Sequence, residues 1–318
     1  MIDFHESLPG AVSIREVGPR DGLQIEQTIS TGQKTAMLEA LVATGVSRIE
    51  ATSFVSPRAV PALADAEQVA GMLGRWPQVT WSALVASSRG TGRALATGVT
   101  SLEYVVSAGD AHSRANTGRS TEESVDLVDE IAGQVHAAGG MLEVIIATAW
   151  DCPFTGSTPM QATVGVAREA VCRGADTLCL GDTIGTTTPR RVIELLDAVR
   201  DVAGGRDIGM HFHNTRGSGI ANALAALQAG VTSFDASVGG LGGCPFAPGA
   251  SGNIATEELV YLLDGCGVTS GIDLDAVVAA AAVTEQAVGH SLPSSLYRAG
   301  GRPRPLDTAD QQPSGQNH

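Results

Sequence analysis

Two pairs of residues carry the chemistry of this chain. Arg20 stands beside Asp21, where the apolar run 14–17 breaks at Gly18-Pro19. A carboxylate is a hard oxygen ligand for a divalent metal, and a fixed guanidinium beside it suits an oxyanion on a metal-held substrate. The second pair lies 190 residues on: His211 and His213 follow the strand-like start Ile208-Gly209-Met210. Side chains two apart on a strand leave one face, so both imidazoles project toward one ion. Asn253 closes the stretch Gly249-Ala250-Ser251-Gly252-Asn253 and offers a neutral oxygen. Asp21, His211, His213 and Asn253 together form a mixed oxygen and nitrogen ligand set. Before Asn253 runs Gly239-Gly240-Leu241-Gly242-Gly243-Cys244-Pro245, a glycine-rich segment carrying one thiol. Plainer readings stand beside these: a surface ion pair at a helix start for Arg20 and Asp21, structural histidines, and a buried inert thiol for Cys244.

Residues so far apart need a scaffold that gathers them. Strand-like runs fall at 13–17, 48–51, 80–85, 101–106, 141–147, 177–180, 208–212 and 233–236. Helical stretches lie between them, at 31–43, 121–138, 158–173, 189–202 and 219–229. Ser120 or Thr121 before Glu122 and Glu123 is a capping signal, and Pro189 sits at a helix start. Gly45, Gly98, Gly139, Gly174 and Gly230 read as helix ends. The phrase Ala-Thr-Gly-Val at 43–46 and 96–99, with Gln-Ala-Gly-Val at 228–231, is that turn repeated. Eight βα units predict an α/β fold, a (β/α)8 TIM barrel with a C-terminal helical extension. A doubly wound open sheet is the competing architecture. In a barrel, polar residues gather at the strand C-terminal ends: Arg20 and Asp21 after strand one, Glu50 ending strand two, then Ser107, Thr148, Asp182, His211 and His213. Past the last strand, Thr256-Glu257-Glu258 should open a helix, and 274–288 should form another that closes the barrel or serves an interface. The expected organisation is a catalytic barrel with closing helices over 1–290 and a disordered Pro- and Gln-rich tail over 300–318.

Composition narrows the partners. Aromatics make up only 4% against 43% hydrophobic residues, so the core must be built from Ala, Val, Leu and Ile. A net charge of −14 argues against nucleic acid and anionic membranes. It leaves an anionic small substrate open, because local charge decides that. Five cysteines, at 152, 172, 179, 244 and 266, are an odd number without framework spacing, which favours a reducing compartment. Cys152, Cys172, Cys179 and Cys266 stand outside the polar motifs and read as packing residues. No basic-then-apolar stretch opens the sequence and no run has membrane-span length, so a cytoplasmic protein is expected.

The blocks EVGPRDGLQ (16–24), IEATSFVSP (49–57), LGDTIG (180–185), HFHNTRG (211–217), GLGGCPFAPGASGN (240–253) and ATEELVYLL (255–263) resemble those of the 3-hydroxy-3-methylglutaryl-CoA lyases. These are metal-dependent TIM-barrel enzymes with Arg-Asp at the first strand. The resemblance runs over nearly the whole chain, and GLGGCP with GASGN is its most specific part. It implies cleavage of a 3-hydroxyacyl-CoA to acetyl-CoA and a ketoacid, with Mg²⁺ or Mn²⁺ as cofactor and a homodimeric assembly. It also implies Asp21, His211, His213 and Asn253 as metal ligands. Arg20, Glu50, Asp182, His211 and Cys244 form the implied catalytic set, with Arg20 stabilising an enolate and Cys244 delivering its proton. Plainer roles remain open for two of them: an internal barrel ion pair for Glu50, a loop cap at Thr183 or Thr186 for Asp182.

The sequence departs from the family at Asn214 and Arg216, where Asp and Tyr are common, and within 23–27, where a lysine is frequent. Arg216 is expected over the substrate mouth, holding a distal carboxylate or a CoA phosphate. Its plainer reading is a surface pair with a helix carboxylate. A condensing enzyme that joins acetyl-CoA to a 2-oxoacid shares Arg-Asp and His-x-His. Such enzymes often carry a long C-terminal domain, and little chain follows the last barrel helix here.

Overall fold

The computed structural model describes residues 8–243 and 252–301. Cys244 and the tail from 302 onward lie outside the described residues. Eight parallel strands close into a barrel: β1 (Ser13–Glu16), β2 (Arg48–Ser53), β3 (Thr80–Val85), β4 (Ser101–Ser107), β5 (Met141–Ala147), β6 (Thr177–Asp182), β7 (Ile208–Phe212) and β8 (Ser233–Ala236). Each strand pairs with its neighbours in sequence, and β8 closes on β1 with Ser13 opposite Ser233 and Arg15 opposite Asp235. Closure excludes the doubly wound sheet. All eight expected strands are present. The largest corrections are to β2 and β6, which each run two residues further. The register of β2 shifts between Glu50 and Thr52. Glu50 is therefore a buried mid-strand residue and does not end the strand.

The helices form where local signals place them. Ser30 Oγ accepts from Gln33 N (3.2 Å) while Gln33 Oε1 accepts from Ser30 N (2.9 Å), a capping box that starts Thr31–Ala43. Ser120 and Glu123 do the same for Thr121–Ala137. Such a cap contributes about 1 kcal/mol. Pro189 opens Pro189–Arg200, where its missing N–H has no partner to lose. Gly45, Gly98, Gly139, Gly174 and Gly230 all take positive φ as the chain leaves a helix. Helices Met160–Cys172, Pro189–Arg200 and Gly219–Gln228 each end a residue or two inside their expected bounds. Ser88–Ala96 and Asp110–Thr117 are additional helices, too poor in apolar residues to show a stripe in sequence. Helix Leu274–Val288 lies against Thr31–Ala43, and Gln33 Nε2 donates to Ala287 O at 3.0 Å. No described helix is long and apolar enough to cross a membrane.

Between barrel and helices the core is almost wholly aliphatic, as the low aromatic content requires. The barrel interior is different, because it holds charge. Arg15 on β1 meets Asp235 on β8 through Nε–Oδ1 (2.8 Å) and Nη2–Oδ2 (2.9 Å). The same guanidinium reaches Glu103 on β4 (2.8 Å) and Glu143 on β5 (2.5 Å). A cation so enclosed persists only because carboxylates surround it. Cys179 Sγ lies 3.9 Å from Asp235 Oδ2, so this cysteine is part of the polar interior, contrary to its expected packing role. Cys152 is likewise hydrogen-bonded, through Thr155 and nearby backbone, and its thiol is held below the ordinary value despite burial.

Glu16 fastens the C-terminal mouth of the barrel. Its Oε1 accepts from Gly18 N (2.8 Å) and Val238 N (2.9 Å), and its Oε2 accepts from Thr256 Oγ1 (2.5 Å). A side chain at Gly18 would meet Oε1 at 2.7 Å, so only glycine admits this clasp. Burial pushes the Glu16 carboxyl up to about 7 against these donors. A carboxyl raised on folding stabilises fully below its unfolded pKa and loses that contribution as pH rises through the folded value. Wild type should therefore lose stability relative to Glu16→Gln between about pH 4.5 and 7. Thermal midpoints of both proteins across that range check this; a constant gap contradicts it.

Candidate metal centre and active site

The chain after β1 winds into one wide turn, Gly18–Gly22, in which the amides of Arg20, Asp21 and Gly22 all donate to Val17 O (3.1, 2.7 and 3.2 Å). That turn lays Asp21 over the barrel mouth. His211 lies in β7 and His213 one residue beyond its end. Segment 252–255 is stitched along both neighbouring strand ends: Asn214 N donates to Gly252 O (3.0 Å), Ile254 N to Phe212 O (3.0 Å) and Ser237 N to Ile254 O (3.0 Å). Asn253 is thereby held opposite His213. Gly242 passes so close that a side chain there would meet Asn253 Nδ2 at 2.7 Å.

Three of the four expected ligands converge. One ligand atom each from Asp21, His211 and His213 lies within 4.8 Å of the others, and all three residues are buried. The two histidine Nε2 atoms are 3.1 Å apart. The fourth, Asn253, donates through Nδ2 to Asp21 Oδ2 (2.7 Å) and to Leu241 O (3.1 Å). Its Oδ1 is buried with no hydrogen-bond partner among the described residues. An orphaned amide oxygen beside two facing imidazoles and a carboxylate is the donor set a divalent cation takes. The residues fit a metal ion.

The protonation states agree. Burial, with His211 close by, pushes His213 down to about 4, so it is a neutral imidazole near pH 7. Burial would raise Asp21, but Arg20 and the imidazoles outweigh it and hold the carboxyl below its ordinary value. Asp235 behaves similarly: burial opposes ionisation, and Arg15 with His211 keeps it well below the carboxylate range.

Arg20 and Asp21 are not a surface pair; both are about 95% buried, at 5% and 6% exposure. Arg20 Nη1 donates to Asp21 Oδ1 (2.7 Å), as does Gln24 Nε2 (2.7 Å). Arg20 Nε lies 2.7 Å from Glu50 Oε1, a close charge contact without hydrogen-bond alignment. Glu50 is thus the internal ion-pair partner of Arg20 and orients its guanidinium. Asp182 accepts from Thr186 N (3.0 Å) and Thr187 N (3.2 Å), which makes it the cap of loop 183–187. Burial pushes its carboxyl up to about 6. Ser107 and Thr148 join neighbouring loops: Ser107 Oγ is 2.7 Å from His112 Nδ1, and Thr148 Oγ1 accepts from Gly109 N at 3.0 Å.

Arg216 is held by backbone acceptors. Nη1 donates to Ile184 O (2.8 Å) and Gly185 O (3.1 Å), so the side chain holds the loop that Asp182 caps. Among the described residues it pairs with no helix carboxylate. Asn214 Oδ1 accepts from Gly219 N (3.1 Å) at the start of helix Gly219–Gln228, a cap an aspartate serves equally well.

Arg15 and Asp235 reach the site unannounced by motif. His211 Nδ1 lies 3.1 Å from Asp235 Oδ2, whose carboxylate Arg15 holds from below. The available signal is a charge within each of two strand-length runs, Arg15 in 13–17 and Asp235 in 233–236, which requires a partner if the strands are buried.

The HMGL-like family model matches residues 11–284. The hydroxymethylglutaryl-CoA lyase YngG of Bacillus subtilis is 40% identical over 287 residues, 90% of this chain and 96% of that protein. The (R)-citramalyl-CoA lyase of Chloroflexus aurantiacus is 40% identical over 301 residues, 91% and 95% of the two chains. An HMG-CoA lyase from Acenitobacter baumannii, solved with coenzyme A and 3-methylmalate, superposes with a TM-score of 0.89 at 36% identity, covering 94% of this chain and 98% of that one.

The site predicts metal uptake. Calorimetric titration with Mn²⁺ should show binding that His213→Ala weakens at least ~10–100-fold, since a protein ligand is removed. Equal affinity in both proteins places the ion elsewhere.

Proposed function

The chain belongs to the HMGL-like family, and we propose that it is a carbon–carbon lyase cleaving 3-hydroxy-3-methylglutaryl-CoA to acetyl-CoA and acetoacetate. The observation that carries this reading is the buried convergence of Asp21, His211 and His213 beside a buried Arg20. Asp21, His211, His213 and Asn253 hold the ion, Mg²⁺ or Mn²⁺ on this oxygen and nitrogen set. When bound, such an ion lowers the cost of ionising a substrate hydroxyl near neutral pH.

The reaction breaks the bond between C2 and C3 of the substrate. A base takes the proton of the C3 hydroxyl, the pair left on that oxygen forms the ketone, and the C2–C3 pair passes to C2 as a thioester enolate. Arg20 stays cationic, because Glu50 and Asp21 outweigh the effect of its burial. Its charge is worth most as the enolate oxygen forms. Glu50 and Asp21 hold the guanidinium from two sides, so no reorganisation is needed at that moment. The enolate carbon then takes a proton, the role given to Cys244, and acetyl-CoA leaves. Asp182 and Arg216 keep loop 183–187 shaped beside the mouth, and selection of the acyl group is assigned to that loop. A homodimer completes this reading on the family resemblance, and a cytoplasmic location on the odd, unframed cysteines.

Relatives naming two substrates stand at the same 40% identity, so the test must separate them. Metal-loaded protein incubated with 3-hydroxy-3-methylglutaryl-CoA should yield acetyl-CoA and acetoacetate faster than it yields acetyl-CoA and pyruvate from citramalyl-CoA. The reverse order reassigns the substrate, and no cleavage of either overturns the reading. Arg20→Gln should lower kcat by roughly 10²–10⁴-fold with little change in KM, as loss of a strong oxyanion donor does. A raised KM with kcat retained assigns Arg20 to substrate binding.

A further inference from the structure

We propose that Asp235 is a positioning residue of the metal centre, fixing which nitrogen of His211 faces the ion. This rests on His211 being a metal ligand. An ionised carboxylate only accepts hydrogen bonds, so His211 Nδ1, 3.1 Å from Asp235 Oδ2, carries the ring proton. A ring whose Nδ1 proton is so held turns Nε2 to the site, the atom that faces His213 Nε2 across 3.1 Å. The tautomer that ligates is selected before any ion arrives.

Asp235 cannot drift from this task. Arg15 takes both its oxygens in a two-pronged contact, Nε on Oδ1 at 2.8 Å and Nη2 on Oδ2 at 2.9 Å. The fork fixes the carboxylate plane, and the plane fixes the imidazole. It also keeps Asp235 from competing as a ligand, because each oxygen already has a cationic partner. The residue pair sits in register, Arg15 opposite Asp235 on adjoining strands, with His211 opposite Asp235 on the other side. The barrel's own strand pairing therefore sets the orientation of a metal ligand. The plainer role for Asp235 is only to neutralise Arg15, but Glu103 and Glu143 already meet that guanidinium.

Asp235→Ala is thus a usable variant, since Arg15 keeps two carboxylates. Mn²⁺ binding, followed by the paramagnetic resonance of the free ion, should weaken roughly 10–100-fold in Asp235→Ala. Asp235→Asn should recover part of that loss, because an amide oxygen still accepts the Nδ1 proton. ¹⁵N resonances of wild-type His211 should show a protonated Nδ1 and a bare Nε2, and the alanine variant should show a mixture. A folded Asp235→Ala with a lowered melting temperature but wild-type Mn²⁺ affinity makes Asp235 a counter-ion alone and overturns the proposal. If that variant does not fold, wild-type His211 protonated at Nε2 overturns it equally. His211→Ala separates the two claims: wild-type Mn²⁺ affinity there means that the metal assignment itself has failed.

Discussion

Arg15 brings a positive charge into the middle of the barrel, and the active end of the molecule is arranged around the carboxylates that make this tolerable. Asp235, Glu103 and Glu143 come from three different strands. Removing one side of such a buried pairing costs about 3–5 kcal/mol, so the strands that supply the partners are held in register by it. Asp235 then passes the constraint upward. Its Oδ2 meets both Arg15 Nη2 and His211 Nδ1, and so couples the strand pairing of the barrel to the orientation of an imidazole at its mouth.

A second clasp works from above. Glu16 ties the turn after β1 to the turn after β8 and to the helix beginning at Thr256. Asp21 sits on the first of these and Asn253 on the segment leading to the last. The two residues are 232 positions apart in sequence, yet Asn253 Nδ2 reaches Asp21 Oδ2 at 2.7 Å. Arg20 is fixed from the side by Glu50 of β2. The site is built from strand ends and short turns that are themselves hydrogen-bonded, which is the preorganisation an oxyanion-stabilising site needs.

Much of this is legible in the sequence. Apolar runs of strand length alternating with helical stretches show the eight βα units, and cap residues and glycines mark their limits. Asp21, His211 and His213 stand out by type and spacing, and the barrel rule places them at one end. Other parts escape for physical reasons. Glu50 reads as a strand end because the strand continues through a register shift that a pattern of alternation cannot carry. Arg15 and Asp235 lie 220 positions apart in short strands of mixed polarity; only closure of β8 on β1 shows that they face each other. Arg216 is expected over the substrate mouth because it follows the ligand strand; its bonds to the carbonyls of Ile184 and Gly185, on the neighbouring loop, are visible only in the folded chain. Side-chain direction in a closed sheet is a property of the whole ring, not of a local window.

The central claim is that the two imidazoles and the carboxylate meet on one ion. Diffraction from crystals equilibrated with Mn²⁺, recorded at the manganese absorption edge, tests it directly. The account predicts a strong anomalous peak in contact with an Asp21 oxygen, His211 Nε2 and His213 Nε2, with His211 Nδ1 still on Asp235. An active, manganese-saturated enzyme with no peak among these atoms contradicts it.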